Sequence, residues 1–346
     1  MLVSYLKKTI RIFFLITAFA LLNTACENGK SAPEPVAAPT ATAAVSESAG
    51  DGLNAGTGST SADPGKTSGL AIASRTKFLE KDGRHIAYRM IGSGEPIILC
   101  NRFRGILDDW DPLFLDELAK EYSVVTFDYS GIGLSTLPNV NDSLRELDDI
   151  HDLSSALGFK QFSLIGWSHG GKVAQVYAGS HPDEIRQLIL LGSGPIGTNR
   201  FQPEEIFFER ALKPVNDFDD EIVLFFEPKY ADSREAAKLY HARVKERKSD
   251  TSHYVTPEKF AKYFATVQVY NSNEKAKKSL SEGKIPMLIV SGEHDIVFPI
   301  ESWYEQTRKN PNLQIIMLPR AGHGPQSQYP LLTARYIHDF IATTGR

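Results

Sequence analysis

Ser168, Asp295 and His323 are the residues of this chain whose types and surroundings could do covalent chemistry. A serine hydroxyl becomes a nucleophile when an imidazole takes its proton and a carboxylate orients that imidazole. Ser168 lies in Gly166-Trp167-Ser168-His169-Gly170, and Phe162–Ile165 before it reads as a short apolar strand. Gly170-Gly171 then leads into a helical stretch. Flanking glycines allow a turn from strand to helix so sharp that the serine is held at its apex with the hydroxyl exposed. The start of the helix offers unpaired backbone N–H groups, where developing negative charge is stabilised.

Asp295 and His323 each follow a strand-like run. Pro286–Val290 precedes Ser291-Gly292-Glu293-His294-Asp295, and Leu313–Leu318 precedes Ala321-Gly322-His323-Gly324. Loops past the carboxyl ends of strands are where open α/β sheets place their sites. Glu293 competes with Asp295 as the orienting acid. His294 competes as base but lies beside the acid, and His338 falls in a helical stretch where packing is the simpler role.

The order Ser, Asp, His is that of the α/β-hydrolase family, and from about residue 75 onward the sequence resembles that family. Asp128-Tyr129-Ser130-Gly131-Ile132-Gly133-Leu134-Ser135, after Ser123–Phe127, resembles its D-x-x-G-x-G-x-S turn. Pro96–Cys100 resembles the strand that leads into its oxyanion loop. The family's G-x-x-D spacing favours Asp295 over Glu293. The resemblance implies Ser168 as nucleophile, His323 as base and Asp295 as orienting acid. The backbone N–H groups of His169 and Phe103 would form the oxyanion hole. A serine at this turn disfavours dehalogenase and epoxide hydrolase chemistry, which uses Asp there.

The pattern breaks at Asn101-Arg102, where the family usually has His-Gly. Arg102 either pairs with Asp108, Asp109 or Asp111, or faces the substrate and binds an acidic group, and Arg104 shares this choice. Arg102 and Trp167 are the candidate substrate-binding residues, and the His169 side chain either touches the substrate as well or serves only beside a needed backbone N–H.

The elements that must position these residues fill one domain. After an opening hairpin over Thr76–Ile91, strands and helices alternate, which implies a mostly parallel sheet with helices on both faces. Between about residues 195 and 283 the rhythm yields to an aromatic-rich insertion with helical spacing. In the family this becomes a cap over the nucleophile. Lys238–Lys248 within it reads as a solvated helix face.

Residues 1–26 form an export-type segment: Lys7, Lys8 and Arg11 precede an apolar run from Ile12 to Leu22, too short to cross a bilayer comfortably. Cys26 sits where a bacterial lipoprotein signal places its acylated cysteine. Residues 27–73, rich in Ala, Pro, Ser, Thr and Gly, read as a disordered tether. The expected localisation is therefore an exported lipoprotein held at a membrane, facing the periplasm or cell surface. The other cysteine, Cys100, reads as a small buried hydrophobe. A net charge of −4 over 346 residues gives no reason to expect a nucleic acid partner. No metal-ligand spacing is evident, and no cofactor is expected. The function expected is hydrolysis of small to medium, largely apolar carboxylic esters, with other serine-type reactions (lactone, amide, C–C) and a non-hydrolytic binding role as alternatives.

Overall fold

The computed structural model describes residues 67–139 and 142–345. The export segment, Cys26 and most of the tether lie outside the described residues. Among the described residues, eight strands form a single sheet: β1 (Lys77–Lys81), β2 (Arg84–Ile91), β3 (Glu95–Cys100), β4 (Tyr122–Phe127), β5 (Phe162–Trp167), β6 (Ile185–Leu191), β7 (Met287–Gly292) and β8 (Leu313–Leu318). Their order is β1-β2-β4-β3-β5-β6-β7-β8. The opening hairpin is antiparallel, as is β2 against β4, and every later pairing is parallel. The expected α/β architecture is therefore present, with an apolar core on each face of the sheet. None of the described helices is long and apolar enough to cross a membrane.

Parallel register brings distant segments together. Cys100 on β3 pairs with Gly166 on β5, so the loops after these two strands emerge side by side. Strands β7 and β8 are also neighbours, so the loops bearing Asp295 and His323 leave the same edge of the sheet.

Two boundaries differ from the sequence reading. The tether was expected to run through residue 73, yet Leu70–Ala73 forms a helical turn. It is docked because the Asp116 carboxylate accepts from Gly69 N (2.9 Å) and Ala71 N (2.7 Å). The insertion contains only helices, but its last one, Glu274–Glu282, packs on the core helix His169–Ser180. Their contact is so close that a Cβ on Gly179 would lie 2.7 Å from Ala276 Cα. A crossover between the parallel strands β6 and β7 needs a helix against the sheet layer, and this helix supplies it.

The helix Ala231–Val244 is not solvated throughout, contrary to expectation for Lys238–Lys248. Arg243 is buried and grips Asp111 with two bonds, Nε to Oδ1 (2.8 Å) and Nη2 to Oδ2 (2.5 Å). Burial pushes the Asp111 carboxyl up, while Arg243 and the amides of Leu113 and Phe114 draw it back. Arg247 lies near Asp108, at 3.4 Å. The cationic spacing in the sequence thus hides a bolt between insertion and core. Removing one partner of such a pair leaves a buried charge uncompensated. Arg243→Leu is therefore expected to cost about 3 kcal/mol or more in urea unfolding; a cost below about 1 kcal/mol, the scale of an exposed pair, would contradict the bolt.

Candidate active site

Ser168 occupies the expected turn with φ 56° and ψ −118°, a region that L-residues with side chains rarely enter. Its neighbours have no room for anything else. A Cβ at Gly166 would lie 2.4 Å from Gly170 O, and one at Gly170 would lie 2.1 Å from Cys100 O. The turn is held from below by Ser168 N donating to Leu191 O (2.9 Å) and Ser193 Oγ donating to Ser168 O (2.8 Å).

The three expected residues form one hydrogen-bonded array. Ser168 Oγ lies 2.8 Å from His323 Nε2, and His323 Nδ1 lies 2.8 Å from Asp295 Oδ2. The other oxygen of Asp295 accepts from Val297 N (2.8 Å) and Phe298 N (2.9 Å), which fixes the carboxylate. Trp167 Nε1 donates to His323 O (2.9 Å), fixing the loop that carries the imidazole. Trp167 is fully buried between Trp110 and Phe225 and does not line the pocket, so its expected substrate contact is replaced by this positioning role. Glu293 instead accepts from Arg320 N (2.9 Å). His338 meets Tyr122 OH at 3.1 Å, and Cys100 is buried with a raised pKa.

Asn101 holds the loop after β3 in the absence of the usual residues. Its Nδ2 donates to Ile106 O (2.7 Å) and its Oδ1 accepts from Arg102 N (2.8 Å), so a buried side chain braces the loop from within. Gly105 is required beside it, since a Cβ there would sit 2.2 Å from Asn101 Oδ1. Asp128, from the D-x-x-G-x-G-x-S turn, holds the far end by accepting from Leu107 N (2.7 Å) and Leu134 N (2.9 Å). Burial raises the Asp128 carboxyl to about 6. The backbone N–H groups of Phe103 and His169 have no protein acceptor among the described residues.

Of the three carboxylates considered for Arg102, Asp109 is the partner, at 2.9 Å. The Arg102 guanidinium also stacks over Phe225 (4.5 Å) and Trp167 (5.2 Å), while Asp111 belongs to Arg243. Arg104 ties the loop to the insertion through the carbonyls of Ala211, Lys213 (both 2.8 Å) and Pro214 (3.1 Å). Burial, with Arg102 nearby, lowers its pKa to about 10.

The His169 side chain turns away from the expected substrate contact. It meets Glu146 Oε1 at 2.6 Å, and Tyr270 OH donates to Glu146 Oε2 at 2.7 Å. Helices of the insertion stand around Ser168. A solvent-open pocket is lined by Ser168, His323, Arg102, Phe207, Leu224 and Phe225, among others.

The profile of the alpha/beta hydrolase fold family matches residues 95–329, which include every member of the array. This chain belongs to the α/β-hydrolase fold family. It is 34% identical over 140 residues to the serine hydrolase BPHL of Mus musculus, covering 38% of this chain and 47% of that protein. It is 24% identical over 270 residues to Lipase 1 of Psychrobacter immobilis, covering 74% and 78% of the two chains. An α/β hydrolase fold protein from Chitinophaga pinensis superposes with TM-score 0.68 at 25% identity, over 78% of this chain and 98% of that one.

Sequence reasoning weighed His294 only as a competing base and missed its pairing with two glutamates. The imidazole bridges Glu227 through Nδ1 and Glu204 through Nε2 (2.8 Å), joining the acid loop to the insertion. Burial opposes its charge, but the two carboxylates outweigh burial and raise its pKa above 6.5. A raised folded-state pKa stabilises fully below the unfolded value and fades as pH rises through the folded one. The unfolding free energy of wild type over His294→Gln is thus expected to be largest below about pH 6.5 and to shrink at higher pH. A difference independent of pH would contradict the bridge.

Proposed function

We propose that this protein is a serine hydrolase that cleaves carboxylic esters of small to medium, largely apolar substrates. The observation that carries this reading is the continuous line from Ser168 Oγ through His323 to Asp295, with 2.8 Å at each step. Ser168 Oγ attacks the acyl carbon while His323 Nε2 takes its proton, and Asp295 holds the Nδ1–H and stabilises the imidazolium. The oxyanion lies between the N–H groups of His169 and Phe103, each such donor being worth roughly 10² to 10³ in rate. His323 returns the proton to the leaving alkoxide, which departs as the alcohol. Water, deprotonated by His323, then splits the acyl-enzyme and regenerates Ser168.

Two further features support the reading. Phe207, Ala211, Leu224 and Phe225 give the pocket apolar walls, suited to an acyl or alkyl group. The insertion acts as the cap that limits water and selects the substrate. Asp109 already neutralises Arg102, which removes the reason to assign that side chain to an acidic substrate. The bracing by Asn101 likewise removes the main motive for a non-hydrolytic role.

Turnover of a panel of p-nitrophenyl acyl esters is expected to fall by at least 10⁴-fold in Ser168→Ala; unchanged turnover would refute the assignment. Asn101→Ala is expected to lower kcat about tenfold to a hundredfold, up to the roughly 10² to 10³ lost with one oxyanion donor, since the loop is loosened and the donor is not removed, with little change in KM. A large rise in KM with kcat unchanged would place Asn101 in binding instead.

The lipid-anchored, exported form is part of the same proposal and rests on residues 1–26 of the sequence. Mass spectrometry of the mature protein is expected to find an acylated Cys26 at its N-terminus. A mature chain that starts beyond Cys26 would overturn the anchor.

A further inference from the structure

No metal-ligand spacing is visible in the sequence, yet folding brings two histidines and a glutamate together far from Ser168. His151 lies on the helix Glu146–Ala156, His181 follows the helix His169–Ser180, and Glu184 ends the 3₁₀ turn Pro182–Glu184 before β6. One potential ligand atom from each residue lies within 4.8 Å of the others. We propose that His151, His181 and Glu184 form a binding site for a divalent transition metal of the zinc class, with water completing the coordination.

His151 and Glu184 make a loose ion pair and leave room between them. His151 Nδ1 and Glu184 Oε1 are 3.6 Å apart, too far for a hydrogen bond. That spacing is close to the ~3.3 Å edge of a tetrahedron whose metal–ligand bonds are roughly 2.0–2.1 Å. The buried Nδ1 of His181 has no hydrogen-bond partner, which leaves one ring nitrogen unused. The His181 ring is stacked on Tyr177 (4.4 Å) and on His151 (5.4 Å), so its plane is set in advance. Glu184 is oriented from behind, its Oε2 accepting from Tyr177 OH at 2.5 Å, as outer donors orient ligating carboxylates in metal sites.

Chemistry selects the metal. Two imidazoles and one carboxylate suit zinc, nickel or copper, whereas calcium and magnesium prefer sets of oxygen ligands. The site also lies at the C-terminal end of the 12-residue helix His169–Ser180, where the helix dipole favours a cation. Drawing the ligands into a tetrahedron requires a contraction of at most about 1.5 Å from the 4.8 Å limit, which the half-exposed His151 ring can supply. A bound ion would join the helix Glu146–Ala156 to the end of the helix that begins at His169. The same helices already meet through Glu146 and His169.

The test is calorimetric titration of Zn²⁺ into the chelator-treated full chain, carrying no affinity-tag histidines. Wild type is expected to bind one equivalent and to melt at a higher temperature when loaded. His151→Asn, at an exposed position, is expected to weaken binding at least tenfold while retaining ester turnover, and His181→Asn to do the same. Cobalt-loaded wild type is expected to show the visible bands of a tetrahedral site, absent from both variants. Absence of stoichiometric binding would overturn the site. So would equal affinity in a His151→Asn/His181→Asn variant whose circular dichroism matches wild type.

Discussion

The backbone of Ser168 is the constraint on which the rest depends. A side-chain-bearing residue at φ 56° and ψ −118° is unfavourable by itself and persists only where its surroundings leave no alternative. Here the strand before it and the helix after it are both anchored, the first by β3 and β6, the second by the close approach of Gly170 to Cys100 O. Glycine at 166 and 170 is thus a demand of packing, and the serine is left as the one side chain the turn can present.

Register carries that constraint outward. Because Cys100 pairs with Gly166, fixing Ser168 also fixes the loop that begins at Asn101. Asn101 and Asp128 then hold that loop through backbone groups of Arg102, Ile106 and Leu107. The guanidinium groups of this loop serve as struts: Arg102 rests on Asp109 and two aromatic rings, and Arg104 on three carbonyls of the insertion. The insertion is in turn bolted down through Arg243 and Asp111. Charged side chains in this part of the molecule thus contribute mainly to architecture.

What was legible in the sequence follows from range. The hairpin, the alternation of strands and helices and the turn at Ser168 depend on local spacing, and these were readable. Asp295 and His323 could be placed because each follows an apolar run that a parallel sheet must bring to one edge. Partner choice was not readable, because nothing near Arg102 distinguishes Asp109 from Asp108 or Asp111. Arg243 was hidden for the same reason, its partner being 132 residues away. Trp167 shows a different limit: adjacency to Ser168 suggested substrate contact, but successive side chains of a strand point to opposite faces, and this one enters the core. The cluster of His151, His181 and Glu184 spans a helix, a strand and a second helix, so no motif could announce it.

The central claim is that the strained turn and the braced loop together make Ser168 a working nucleophile despite Asn101-Arg102. Covalent labelling by a fluorophosphonate, followed by peptide mass spectrometry, tests this most directly. Rapid modification of Ser168 alone, abolished in His323→Ala, is the expected result. A folded wild-type protein that stays unlabelled, or that is labelled as fast without His323, would contradict the claim.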